Sequence, residues 1–157
     1  MTTGSDRISE FTAMALGKSL ATFDVFDTLL HRICSPETII LQTCRKIATR
    51  LFLEPSTVLA ARERAVQLLR DETFASGADG EYRFSDLASC LAAEISSITG
   101  ADQDIVLMEV EFALSDEIRH ECDCVFPDER MVKAARQISA AGVRVAAVSD
   151  MYHSRDT

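Results

Sequence analysis

Residues 19–30 read SLATFDVFDTLL and give the clearest indication of the fold class. It opens with a mainly apolar run that ends at Asp24, which predicts a buried strand. Such a strand presents Asp24 at its carboxyl end, where open α/β sheets build their sites, so this carboxylate is a candidate covalent nucleophile or metal ligand. Thr28 can hydrogen-bond across the turn that follows, whose main-chain N–H groups can approach an anion. The alternative is a carboxylate that only caps the turn.

A second stretch, RVAAVSDMY at residues 144–152, has the same arrangement of an apolar strand followed by a polar residue, Ser149. Neighbouring strands of a parallel sheet present their carboxyl ends side by side. We therefore expect Asp24 and Ser149 to face one cleft, with a nucleophile beside a hydrogen-bond donor for a phosphate-like oxygen. The alternative is a Ser–Asp cap that starts another helix.

Helical patterns fill the sequence between these two strands. Four helices are predicted, starting near Ser35, Pro55, Ser85 and Asp102. We expect Ile105, Met108 and Phe112 to form the buried face of the fourth, because they recur at helical spacing. Residues 125–127 are predicted to be a loop into a fifth helix, capped by Asp128. The predicted fold class is α/β with parallel strands.

Composition excludes several classes of protein. The chain has 157 residues and a formal net charge of −9, which disfavours binding to nucleic acid or to anionic membranes. No apolar stretch is long enough to suggest a membrane span or a signal peptide. The five cysteines are an odd number and are scattered, which favours reduced thiols in a cytoplasmic protein over a disulfide framework.

The two strand-end stretches together resemble motifs I and II of the haloacid-dehalogenase-like (HAD) superfamily. FDVFDTLLHR and VSDMY are similar to a subgroup of hydrolases that often occur beside or fused to glycosyltransferases of surface-polysaccharide synthesis. The resemblance covers about residues 19–153. It implies a partial Rossmann-like core with an inserted α-helical C1-type cap. Core segments would occupy residues 1–31 and 125–157 and the cap residues 32–124, with the later core strands absent.

The resemblance also implies a role for each site residue. Asp24 would be the aspartyl nucleophile, and Mg²⁺ would bind to Asp24 and to the main-chain carbonyl of Phe26. The substrate would be a phosphorylated small molecule, by analogy a sugar phosphate. The candidate residues are Asp24, Asp27, Thr28 and Ser149 as catalytic, Ser149, Asp150 and Arg32 as substrate-binding, and Asp24 and Phe26 as metal-binding.

The sequence departs from the family pattern at two places. Phosphatases of the family carry a general acid/base two residues after the nucleophile, where this chain has Phe26, and Asp27 stands where a glycine is usual. The lysine and acids of later strands are also absent. We therefore expect this chain alone to be weakly active or inactive. The alternatives are a non-catalytic or truncated HAD-like module acting in binding, and a dehalogenase-type hydrolase. Under either interpretation, the expected partners are a second copy of the chain or a downstream domain such as a glycosyltransferase.

Three further groups of polar residues have simpler interpretations. Residues 120–124, HECDC, contain potential metal ligands, but the sequence shows no second ligand pair, which favours a helix end with partly buried thiols. Arg62, Arg64 and Arg70 are expected on a solvated helix face. The cations Arg45, Lys46 and Arg50 could attract an anionic substrate, although a solvated face is favoured there too.

Overall fold

The computed structural model describes residues 4–78 and 80–149, which form helices and short strands in two compact units. One unit contains the described residues up to Ile33 and from Cys124 onward, and the other runs from Cys34 to Asp123. In chain order the elements are α1 (Gly4–Ala15), β1 (Leu20–Asp24), β2 (Leu30–Arg32), α2 (Pro36–Leu51), α3 (Pro55–Ala75), α4 (Phe84–Thr99), α5 (Gln103–Asp123), β3 (Val125–Pro127), α6 (Glu129–Ala140) and β4 (Arg144–Val148). The fold is thus mixed α/β and mostly helical.

The first unit is organised around a two-stranded parallel sheet. Strands β1 and β4 pair in register from Leu20 opposite Arg144 to Asp24 opposite Val148. Along β1 the side chains alternate, so that Ala21 and Phe23 are buried while their neighbours are exposed. A small core forms on that face, and its buried members are Ala15, Ala21, Phe23, Ile138 and Val143. The predicted parallel pairing of the two apolar stretches is confirmed.

Strands β2 and β3 form a second, antiparallel pair in the same unit. Leu30 lies opposite Pro127, and Arg32 lies opposite Val125. The prediction of a loop at residues 125–127 was wrong. Strands of three residues are too short to show the alternation by which a strand is recognised in sequence, and here the ladder itself defines them.

The second unit consists of the four helices α2 to α5. Helices α2 and α4 each pack on both α3 and α5, so the four helices enclose a single core. The largest fully buried side chains of this core are Ile47, Leu87, Leu91, Ile95, Leu114, Val58, Val106, Val110 and Cys44. No helix in the described ranges combines the length and the apolar character needed to cross a bilayer.

Two details of these helices differ from the sequence predictions. Ile105, Met108 and Phe112 are more than half exposed, and α5 instead buries the face that contains Val106, Val110 and Leu114. Helix α5 carries apolar residues on two faces, and contact with α2 and α4 decides which face is buried. Helix α4 begins at Phe84, one residue before the predicted Ser85 cap.

Candidate functional site

A tight turn follows β1 and is closed by main-chain hydrogen bonds. The carbonyl of Val25 accepts from the N–H groups of Leu29 and Leu30 at 2.9 and 2.8 Å. The N–H of Asp27 donates to the carbonyl of Leu30 at 2.7 Å. Thr28 lies half-buried within this turn, between the two strands it connects. The turn therefore holds the residues after Asp24 in one defined conformation.

Asp27 takes a backbone conformation that is typical of glycine. Its φ angle is +58°, in the left-handed region, where a side chain other than Asn or Asp is disfavoured. A short polar side chain tolerates this conformation better than a β-branched one, which explains how aspartate can occupy this position. The Asp27 side chain is exposed.

Phe26 and Arg32 are brought together across the same turn. The guanidinium carbon of Arg32 lies 3.8 Å from the centroid of the Phe26 ring, which is the geometry of a cation–π contact. Arg32 was predicted to bind substrate and the main-chain carbonyl of Phe26 to bind a metal ion, and both roles stay predictions. The ring cannot transfer a proton, and it fixes the position of a neighbouring positive charge.

Asp24 and Ser149 lie at the same edge of the parallel sheet. Asp24 pairs with Val148, and the N–H of Val25 donates to the Val148 carbonyl at 3.1 Å, which extends the ladder beyond β1. Ser149 is the next residue after Val148, and both Asp24 and Ser149 are exposed. The sequence prediction that the two strand ends are adjacent is confirmed. Asp150 lies outside the described residues.

Next to this turn, His31 is hydrogen-bonded to Asp128. The His31 Nε2 atom is 3.1 Å from Oδ2 of Asp128. The other carboxylate oxygen, Oδ1, caps α6 by accepting from the N–H groups of Arg130 and Met131. The His31 hydrogen bond, followed by that from Met131, lowers the pKa of Asp128 to about 2. Asp128 was predicted as a helix cap, and this is confirmed.

Two of the three cations of α2 pair with acids of α5. Lys46 pairs with Asp116 at 3.3 Å, and Arg50 pairs with Glu109. A groove of about 400 Å³ is lined by Lys46, Arg50 and Asp116 together with Arg45, Thr49 and Phe112. Lys46 and Arg50 therefore interact with carboxylates of the protein, as expected of a solvated helix face.

The prediction of a solvated face was wrong for Arg62. Its guanidinium is 4% exposed and forms two hydrogen bonds with the Glu117 carboxylate, at 2.6 and 2.7 Å. The partner lies 55 residues away in sequence, on α5, so the α3 pattern alone could not reveal it. Cys44 is buried in the same unit, and this burial raises the pKa of its thiol to about 11.

Residues 120–124 lie at the end of α5, which extends to Asp123. Cys124 is half-buried and Cys122 is exposed, so the prediction of partly buried thiols holds for Cys124 alone.

Comparison with known proteins gives no independent indication of the family. The chain matches no protein-family model. It also resembles no curated protein in sequence.

Proposed function

We propose that this chain carries the nucleophile of a HAD-type hydrolase that acts on a phosphorylated small molecule, of the sugar phosphate class by analogy. The parallel pairing of β1 and β4 is the observation that supports this proposal, since it sets Asp24 opposite the residue before Ser149. Two exposed polar groups at one edge of a parallel sheet are accessible to a substrate. Under this proposal the first unit is part of a Rossmann-like core and the four helices are its C1-type cap.

The proposed reaction has two steps. A carboxylate oxygen of Asp24 attacks phosphorus, and the bond from phosphorus to the leaving oxygen breaks, so the leaving group departs with the electron pair. Water then hydrolyses the aspartyl phosphate, which releases inorganic phosphate and regenerates the carboxylate. The hydroxyl of Ser149 would donate a hydrogen bond to a phosphoryl oxygen during both steps.

Oxygen donors suitable for Mg²⁺ are present at this edge. Asp24 offers an exposed carboxylate, and the main-chain carbonyl of Phe26 lies two residues further along the turn. Mg²⁺ is commonly held by one or two carboxylates, with water and phosphate completing its octahedral shell, so this donor set fits it. When bound, the ion would neutralise part of the negative charge of the phosphate group.

The aromatic residue at position 26 restricts the proposed substrates. Because Phe26 cannot donate a proton, the leaving oxygen must depart as an anion or take its proton from solvent. We therefore expect hydrolysis to be much faster for aryl phosphates whose phenols are acidic than for alkyl phosphates. Arg32, held over the Phe26 ring, carries a positive charge near this position.

The same contact favours a second candidate function, a non-catalytic HAD-like module. Phe26 has no ionisable group, and its ring is occupied by the Arg32 guanidinium at 3.8 Å, so position 26 serves a structural contact. In this alternative, Asp24 and Ser149 would contribute to binding without turnover.

The decisive experiment is a phosphatase assay with p-nitrophenyl phosphate and Mg²⁺. We expect slow turnover by the native chain and none by Asp24→Asn, while Asp71→Asn serves as the control. Asp71 is an exposed acid on α3 whose hydrogen bond from Gln67 can be kept by asparagine. Turnover that persists in Asp24→Asn would remove Asp24 from the mechanism. No Asp24-dependent turnover in the native chain would favour the non-catalytic module.

A further inference from the structure

Helix α5 leaves an apolar stripe exposed on the face opposite to the helical core. Ile105, Met108 and Phe112 are each more than half exposed, whereas Val106 and Val110 are buried. With 3.6 residues per turn, the exposed three lie together, about half a turn away from the buried residues. Their spacing of three and four residues is that of the positions through which two helices pack in a coiled coil. The stripe is therefore suited to contact with another helix.

The area of the stripe is large for the surface of a monomer. Three side chains of this size, each more than half exposed, present on the order of 300 Å² of apolar surface. A contiguous patch of that area is often an interaction site. A standard interface takes about 800 Å² from each partner, so the stripe and the charged residues beside it fit a small, reversible interface.

The two flanks of the stripe carry opposite charges. Arg45 of α2 is exposed and lines the groove on one side of the stripe. Glu109 and Asp116 mark this flank of α5, because they pair with cations of α2. Asp104 and Glu111 are exposed and lie on the opposite flank of α5. Within the described part of the chain, Arg45, Asp104 and Glu111 form no ion pair, so their charges are available to a partner.

We propose that this stripe is a dimer interface, on which α5 of a second copy of this chain packs in parallel. A two-fold axis along a parallel helix pair sets the cationic flank of each copy beside the acidic flank of the other. Arg45 of one copy would then approach Glu111 of the partner subunit. An antiparallel pair would instead set the two cationic flanks side by side, which is repulsive. Both halves of the complementary charge pattern are present on one chain, which favours a second copy as the occupant.

The first test measures dimerisation by sedimentation equilibrium of the full chain at concentrations from about 10 µM to about 1 mM, the range suited to a small interface. We expect reversible dimerisation of the native chain. Met108→Glu should weaken it by roughly 100-fold or more, because two carboxylates would meet at the centre of the interface. Leu68→Glu is the matched control: Leu68 is a half-exposed apolar residue of α3, and the change of charge is the same. It should dimerise as the native chain does.

A charge exchange tests the flanks separately from the apolar stripe. Glu111→Arg should weaken dimerisation by about threefold or more, since it would face Arg45 of the partner subunit. The double variant Arg45→Glu/Glu111→Arg should restore the native affinity, because the pair is present again with its charges reversed. Circular dichroism shows whether each variant is folded.

Disulfide cross-linking tests the parallel orientation. In a parallel pair each residue of the stripe meets the same residue of the other copy, so Ile105→Cys should cross-link to itself under mild oxidation. In an antiparallel pair it would cross-link only with Phe112→Cys. Both are made in a Cys122→Ser background, because Cys122 is exposed. Leu68→Cys in that background is the control and should not cross-link.

Three outcomes would overturn the proposal. These are a native chain that is monomeric at every concentration, dimerisation of Met108→Glu as strong as that of Leu68→Glu, and cross-linking of Ile105→Cys with Phe112→Cys alone. The interface lies within the helical unit, so none of these outcomes depends on the proposed hydrolase activity.

Discussion

In the helical unit, four helices share one core with sixteen buried members among the described residues, whereas five buried residues form the core beneath the parallel sheet. Strand β4 illustrates the difference: within the described part of the chain it pairs only with β1, and its Val145 and Val148 are 37% and 55% exposed. Local stability follows buried apolar contact and protected hydrogen bonds. Asp24 and Ser149, the residues proposed for hydrolysis, therefore lie in the unit that we expect to be less stable.

The largest effect is expected at the buried ion pair of the helical unit. Glu117→Leu leaves the Arg62 guanidinium buried without its carboxylate, which should lower the free energy of unfolding by about 3–5 kcal/mol. The double variant Arg62→Met/Glu117→Leu should recover most of that loss, because the charge is removed along with its partner. Urea unfolding, monitored by circular dichroism, measures both effects.

The matched control for this pair is Arg64→Met. Its ion pair with Glu94 is at 2.9 Å, but the Arg64 side chain is 50% exposed, so its removal should cost less than about 1 kcal/mol. If the double variant were as unstable as Glu117→Leu, the loss would come from packing and not from an unpaired charge.

Core truncations in the two units should differ in size and in location. Leu91→Ala, in the helical core, should cost about 3 kcal/mol, and Ile138→Ala, beneath the sheet, about 2 kcal/mol, because a small core with an exposed strand collapses more readily onto a cavity. Amide hydrogen exchange in β1 and β4 should accelerate only in Ile138→Ala. Ile98→Ala, at a half-exposed position of α4, should change stability by less than about 0.5 kcal/mol. Equal costs for the two core variants would contradict the proposed difference between the units.

Features governed by local sequence could be predicted, and those governed by a distant partner could not. Ser35 and Pro36 start α2 as expected, since the Ser35 side chain accepts from the N–H of Thr38. Asp128 likewise caps α6 through its own following residues. The parallel alignment of the two apolar strands followed from their composition and from the helical sequence between them.

The failures share one physical cause. The Arg62 side chain is buried because Glu117 meets it, and the pattern of α3 contains no sign of that residue. Helix α5 has two apolar faces, and only its neighbours decide that Val110 is buried and Met108 exposed. The ladder of β2 and β3 joins two three-residue strands, one near each end of the described chain. In each case the deciding contact joins segments that are far apart in sequence.

A smaller effect is expected in the turn after β1, where the less stable unit contains a left-handed residue. Asp27→Val should cost about 1–2 kcal/mol, because a β-branched side chain is disfavoured at a φ of +58°. Asp27→Gly should be neutral or slightly stabilising, since glycine adopts this conformation readily. Chemical denaturation followed through amides of β1 distinguishes the two. Equal destabilisation by glycine and valine would mean that the loss of stability comes from removal of the Asp27 carboxylate and not from the backbone conformation.

The smallest effect is a pH dependence confined to the unit with the sheet. The pKa of Asp128 is about 2, below its ordinary value of 3.8, so its ionised form stabilises the folded state at and above about pH 4. This contribution should be lost as the pH falls from about 4 through 2. Asp128→Asn keeps an oxygen that can cap α6 but cannot ionise, so hydrogen exchange in α6 should lose its acid dependence over that range. Asp71→Asn, in the helical unit, should leave the α6 profile unchanged. An unaltered profile in Asp128→Asn would show that the His31–Asp128 contact contributes little, and the acid sensitivity of this unit would then have to arise from other carboxylates.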